Sequence, residues 1–217
     1  GIIGYEFFRN NLIRIDYATK KLIIYKNDDV VSKKLEKKFN IIPITIEKFK
    51  PYLMGKVTLN KLEVPVKLLI DIGNSDSVWL FQNLSKEITV PLKNFDDFLG
   101  KGFSGDIEGK RARVAGFSFD EYNFKSPIIA FPDSSSIQNV RMVQNRVGSI
   151  GGEILKRFSV VFDYKNEQLY LKKNSNYKEP FTYNKSGVEI QHNGLQWVKE
   201  TVRLETVPIS GGVSFDS

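Results

Sequence analysis

The chain has no cysteine, one histidine, two methionines and two tryptophans in 217 residues. Without cysteine there are no disulfides, no thiol nucleophile and no thiolate metal site. The single histidine, His192, stands in a polar stretch near the C-terminus and leaves no material for a histidine-based triad or a zinc centre. Nothing in this inventory calls for a metal or a cofactor. No apolar run reaches the roughly 18 residues that a membrane-spanning helix requires, and a signal peptide is equally lacking. The chain opens at Gly1-Ile2-Ile3-Gly4 without a methionine, so its compartment is not legible from its start.

What is present is core material for strands. Apolar residues make up 41% of the chain, with sixteen Phe and nine Tyr, and glycine and proline recur at turn-like spacing. The formal charge of +7 and pI near 9.3 raise the question of an acidic partner. The densest basic cluster, Lys33-Lys34-Leu35-Glu36-Lys37-Lys38, is interrupted by an apolar and an acidic residue, as in a solvated helix or connector. Nucleic acid is therefore not an expected partner.

A search for self-similarity shows that Gly1 to Asn27 aligns without gaps on Gly148 to Asn174, at an offset of 147. Gly1, Ile3, Gly4, Glu6, Asp16, Tyr17, Leu22, Lys26 and Asn27 recur as Gly148, Ile150, Gly151, Glu153, Asp163, Tyr164, Leu169, Lys173 and Asn174. Each copy reads as an apolar-glycine turn, one turn of helix and a hairpin. Asp16 and Asp163 precede the hairpin turns and read as structural. The second copy closes a lobe's worth of sequence, so the first copy is expected to close another lobe, most of it absent from this chain.

The remaining chemistry centres on Leu68-Leu69-Ile70-Asp71-Ile72-Gly73-Asn74-Ser75, followed by Val78-Trp79-Leu80-Phe81. Three apolar residues deliver one carboxylate to the end of a buried strand, where its charge demands compensation. Gly73, Asn74 and Ser75 form a turn able to aim N–H and hydroxyl donors at it. Asp76 reads as a turn or surface carboxylate, or as support for the site, and Trp79 as core. Further on, Gly100 to Gly109 holds four glycines in ten residues and spells G-x-G-x-x-G. Strand-like sequence from Arg111 to Phe119 follows it where a dinucleotide site needs a helix, so a glycine hairpin is the better reading.

The order of these features resembles the aspartic peptidases of the pepsin and retropepsin type: apolar strand with Asp71-Ile72-Gly73, glycine hairpin, then Ile150-Gly151 with the hairpin ending Val160-Val161-Phe162-Asp163. It looks closest to bacterial two-lobed proteases with a downstream PDZ domain. The resemblance covers residues 54–174 as one lobe and 1–27 as the tail of another. It implies an all-β fold, a closed-barrel lobe of acid-protease type with a few short helices. Residues 28–53 are then a connector and entering strand, and 175–217 an extension or linker towards a further domain.

By the same resemblance Asp71 is the catalytic carboxylate, Gly73 the turn that lets backbone approach it, Ser75 a hydroxyl donor to it, and Asn74 part of the supporting loop. Gly102, Phe103, Ser104 and Gly105 belong to the flap, and Ile150-Gly151 and Ile3-Gly4 are the apolar-glycine turns of the two lobes. The family has Thr or Ser where this chain has Ile72. The implied substrate is a peptide or protein, and the implied location exported or cell-envelope. Such chemistry needs two carboxylates sharing a proton, and this chain supplies one signature. The second Asp has to come from an upstream lobe or from a second copy of the chain, so the chain alone is expected to be inactive. The alternative is an acid-protease fold that has lost catalysis and binds peptides or acts as a scaffold.

Overall fold

A computed structural model describes residues 4–183 apart from 103–104 and 138–142. The expectations placed on Ile3, Phe103, Ser104 and residues 184–217 lie outside the described residues. Among the described residues strands dominate, helices are short, and no helix is long and apolar enough to cross a membrane.

The first sheet is built from the repeat. β1 (Asn11–Asp16) and β2 (Lys21–Lys26) form the first hairpin, and β14 (Phe158–Asp163) and β15 (Gln168–Lys173) form the second, at matching positions. β3 (Asn40–Pro43) completes the order β2-β1-β14-β15-β3. β1 and β14 pair antiparallel with Ile13 opposite Phe162, Arg14 opposite Val161 and Ile15 opposite Val160. Because Arg14 and Val161 are counterparts in the repeat, the two copies meet about a local twofold. Asp16 accepts the Thr19 amide at 3.2 Å, and Asp163, fully buried, accepts the Asn166 amide at 3.1 Å, so both carboxylates hold their hairpin turns.

The charged connector folds back on this sheet. Asp28 caps α2 (Asp29–Glu36) by accepting the Val31 amide, and Leu35 and Phe39 pack on Leu12, Val161 and Tyr170. The apolar face of this short helix therefore decides its place while the lysines stay in water. Two further single-turn helices, α1 (Tyr5–Arg9) and α4 (Gly152–Leu155), open the two copies of the repeat, and α3 (Ser134–Ile137) lies between them in sequence.

The second sheet comprises β4 (Thr45–Glu47), β5 (Lys50–Leu59), β6 (Leu62–Ile70), β7 (Val78–Leu80), β8 (Asn94–Gly102), β9 (Gly105–Arg113), β10 (Gly116–Phe119), β11 (Tyr122–Lys125), β12 (Ile128–Pro132) and β13 (Arg146–Ile150). Its order is β11-β10-β5-β6-β13-β7-β12-β9-β8, with β4 also on β5. No closed barrel is seen among the described residues: β11 and β8, at the ends of this ladder, are not paired with each other. Asp96 and Asp97 on β8 and Asn123 and Lys125 on β11 place polar side chains along those edges, a composition that discourages further pairing.

Two expected single strands are also divided. The segment from Asn40 to Tyr52 is split into β3, β4 and the start of β5 by a turn with Lys48 and Phe49 at φ 47° and 65°. The segment from Arg111 to Phe119 breaks into β9 and β10. The glycine stretch, read as a hairpin, is the distal half of the β8–β9 hairpin, with Gly102 opposite Gly105.

Candidate active site

Along β6 the alternate residues Val64, Val66, Leu68 and Ile70 are buried, and the strand ends at Asp71. β13 runs parallel to β6, and the Asp71 amide donates to the Ile150 carbonyl at 2.9 Å, one step beyond the last ladder pair. The chain then turns: the Asn74 amide donates to the Asp71 carbonyl at 3.3 Å, and the Gly73 amide donates to Asp71 Oδ1 at 3.0 Å. A Cβ on Gly73 would stand 3.3 Å from that same oxygen, so glycine allows the amide its close approach. Asp71 is half-buried, and its Oδ2 has no hydrogen-bond partner among the described residues. The Ser75 hydroxyl expected near the carboxylate is exposed and makes no hydrogen bond to Asp71 among the described residues. Ile72 is 47% exposed.

Ile150-Gly151 lies directly against this loop. The Gly151 amide donates to the Ser77 carbonyl at 2.9 Å, Gly152 to Asn74 at 2.6 Å and Glu153 to Asp76 at 3.2 Å. A Cβ at residue 151 would fall 2.5 Å from the Asp76 carbonyl and 2.6 Å from that of Asn74, both backbone atoms that cannot step aside. Asn74 is itself buried. Its Oδ1 accepts the Asp76 amide at 2.9 Å, and its Nδ2 has no partner among the described residues.

The matching turn of the first copy has the same local bond and, among the described residues, no loop against it. Phe7 donates to Gly4 at 3.1 Å as Ile154 donates to Gly151 at 3.2 Å. A Cβ on Gly4, however, would meet nothing within 4 Å. The two turns are thus built alike and occupied differently.

Sequence reasoning missed the polar network beside Asp71. Asp76 is not a surface carboxylate: its side chain is 10% exposed, accepts the Trp79 indole N–H at 2.6 Å and pairs with Arg111 of β9, which also bonds Asp97 of β8. Burial alone would lower the Arg111 guanidinium, but the charge and hydrogen bond of Asp76, aided by Asp97, raise it above its ordinary value. Nearby, Arg146 is buried, donates Nε–H to the Gly148 carbonyl at 3.0 Å and stands over the Phe81 ring. Burial pulls its guanidinium below the ordinary value, and the charges of Tyr52 and Asp71 oppose that pull. Arg111 and Arg113 alternate with Ala112 in the strand-like stretch, but nothing local named their partners.

No protein-family profile matches the sequence, and neither does any curated protein. Among solved structures, a retropepsin-like aspartic protease from Rickettsia conorii is similar. It is 15% identical, the match spans 62% of this chain and 100% of that one, and the TM-score is 0.41.

An open cleft of about 570 Å³, lined by Ile42, Ile44, Tyr52, Met54 and Pro65 among others, does not include Asp71. Asp71 instead sits on a half-open shelf, with one carboxylate oxygen held and one free. A single carboxylate so placed can accept a proton from water; it has no acid partner for a carbonyl oxygen among its bonded neighbours.

Proposed function

We propose that this chain carries one lobe of an aspartic endopeptidase, with Asp71 as half of a carboxylate dyad, together with the tail of the lobe that supplies the other half. The observation that carries the reading is the contrast between the two glycine turns. Gly151 holds the Asp71 loop against its backbone, while Gly4, whose carbonyl likewise accepts the amide three residues on, holds nothing among the described residues. A second lobe related by the local twofold at Arg14 and Val161 would seat its own Asp loop on Gly4.

The exposed face of β2 agrees. Leu22 and Ile24 are 54% and 51% exposed, whereas their counterparts Leu169 and Leu171 are 0% and 1% exposed beneath the lobe that is present. A partner lobe packed as residues 54–174 pack on β14 and β15 would cover the first pair.

The chemistry follows from two carboxylates near each other, which share one proton because both cannot ionise cheaply. The ionised one takes a proton from water as the oxygen attacks the scissile carbonyl. The protonated one gives its proton to the carbonyl oxygen. Collapse of the tetrahedral intermediate breaks the C–N bond as the amine takes up a proton. Peptide laid along the β8–β9 hairpin would be held extended by main-chain hydrogen bonds.

In a parent protein that carries both lobes, Asp71→Asn is expected to lower peptide cleavage by about 10²–10⁴-fold, the range of positioned acid–base catalysis. Undiminished cleavage would refute the reading. Ile72 favours a second one, a peptide-binding or scaffold module, because an exposed alkyl group stands where the resemblance implies a hydroxyl. Ile72→Thr in the same parent separates the two. A large gain in cleavage identifies an impaired peptidase, and none in either form identifies the binding module.

A further inference from the structure

The β8–β9 hairpin is anchored along its root. β9 pairs with β12 as far as Gly109 opposite Pro132, Glu108 is still held by the Asp133 amide on its carbonyl at 3.0 Å and by the Ser136 hydroxyl on its amide at 3.4 Å, and beyond Glu108 the described residues of the hairpin pair with each other. At the same level β8 has a register shift between Phe98 and Gly100, and Gly100 adopts φ +132°, a conformation open to glycine. The distal half therefore leaves the sheet where its own ladder is irregular, so its direction depends on what holds the root.

Besides the β9–β12 ladder, the Arg111 side chain links this root to the Asp71 loop. Arg111 lies in register between Phe95 of β8 and Ala130 of β12, and Ala130 is opposite Trp79 of β7, so one row of residues runs from the hairpin towards the Asp71 loop. Its Nη1 donates to Asp76 Oδ1 and its Nε to Asp97 Oδ2, while Trp79 Nε1 occupies Asp76 Oδ2. Asp76 in turn is fixed by backbone bonds to Asn74 and Glu153. Only 17% of the Arg111 side chain and 10% of that of Asp76 are exposed, so the pair works where water screens it weakly. The two N–H directions of a guanidinium serve the two carboxylates at once, which an ammonium on a flexible stem does not reproduce.

We propose that Arg111 is a positioning residue: it ties the root of the β8–β9 hairpin to the Asp71 loop and so sets where the distal strand residues 100–102 and 105–108 stand relative to Asp71. The hairpin's part in peptide binding rests on the peptidase reading; the anchoring does not.

Hydrogen exchange on the full chain tests the anchoring. In Arg111→Lys, amides between residues 98 and 108 are expected to exchange at least about tenfold faster, with β13 unchanged. Asp97→Asn keeps the Arg111–Asp76 pair and is expected to give a smaller gain of about threefold, and it carries the test if Arg111→Lys fails to fold. In a two-lobed parent that cleaves peptide, Arg111→Lys is expected to raise KM about tenfold with kcat within about twofold. Hairpin exchange unchanged in the folded variants overturns the proposal. So does equal acceleration in the hairpin and β13, the mark of a residue that only stabilises the fold, and so does a fall in kcat at constant KM. A loosened hairpin in a parent that cleaves no peptide leaves the anchoring intact and removes the peptidase reading.

Discussion

Arg14 stands directly opposite Val161 across the β1–β14 pair, and the two occupy the same position in the two copies of the repeat. A residue that faces its own counterpart marks the point where a twofold passes through a sheet. Everything on one side of that point therefore has an equivalent position on the other. One side is filled by the residues that carry Asp71, and on the other, among the described residues, Leu22 and Ile24 of β2 stand exposed.

That asymmetry sets the cost of truncating equivalent leucines. Leu169→Ala removes a fully buried side chain and is expected to destabilise the chain by about 2–5 kcal/mol. Leu22→Ala, more than half exposed, is expected to cost less than about 1 kcal/mol. In a parent carrying the second lobe the two costs should converge. Urea unfolding of the four proteins measures both, and a persistent gap in the parent would mean that nothing covers β2.

The two glycine turns allow a controlled comparison. Gly4 and Gly151 have φ of −105° and −122°, both open to alanine, so only packing separates them. Gly151→Ala must push apart the Asn74 and Asp76 carbonyls and is expected to cost about 2 kcal/mol or more, with the Asp71 loop displaced. Gly4→Ala is expected to stay within about 0.5 kcal/mol in this chain. Thermal unfolding of the pair decides whether the loop depends on that close approach.

Arg157 fastens the segment after β15. It donates to the Glu153 carbonyl and carboxylate and to the carbonyls of Asn176, Tyr177 and Glu179, and its guanidinium lies 3.9 Å from the centre of the Phe181 ring. Arg157→Met is expected to cost roughly 3 kcal/mol, since it leaves several buried acceptors unpaired. Limited proteolysis should then cut within residues 174–183 while leaving β14 intact; cutting at an unchanged rate would show that Phe181 packing alone suffices.

Alkaline pH should weaken the fold through Tyr17. Burial raises its hydroxyl from 10.0 to about 12, and burial raises its repeat counterpart Tyr164 as well. A raised folded value means that the stabilisation is fully present below the ordinary tyrosine range and is lost as pH climbs from about 10 towards 12. Denaturant midpoints followed alongside phenolate absorbance should fall over that window. Tyr17→Phe should flatten part of the fall, and an identical profile in the variant would assign the loss to other groups.

How much of this was legible depended on sequence distance. The Asp71 turn and the two hairpins are written in contiguous residues whose local conformations agree with the fold. The Lys48-Phe49 turn carries no Asn-Gly signal, and its left-handed backbone follows from the pairing of β4 with β5. Asp76 looked like a turn residue because its immediate neighbours are polar. The partner that accounts for its burial, Arg111, lies 35 residues away. Barrel closure is illegible for a similar reason: whether the first and last strands of a ladder meet depends on the accumulated path of every strand between them, which no single segment encodes.

The amino-acid order by itself determined the repeat, the strand-rich character and the carboxylate at a strand end, because alternation, turn residues and self-similarity act over a few neighbours. Only the tertiary structure decided that the two copies face each other at Arg14 and Val161, that Gly151 holds the Asp71 loop while Gly4 has no such loop among the described residues, and that Arg111 joins loop to hairpin. Those relations depend on backbones approaching within hydrogen-bond distance across long separations. Such approach depends on the packing of the whole sheet, which the residues involved do not specify on their own.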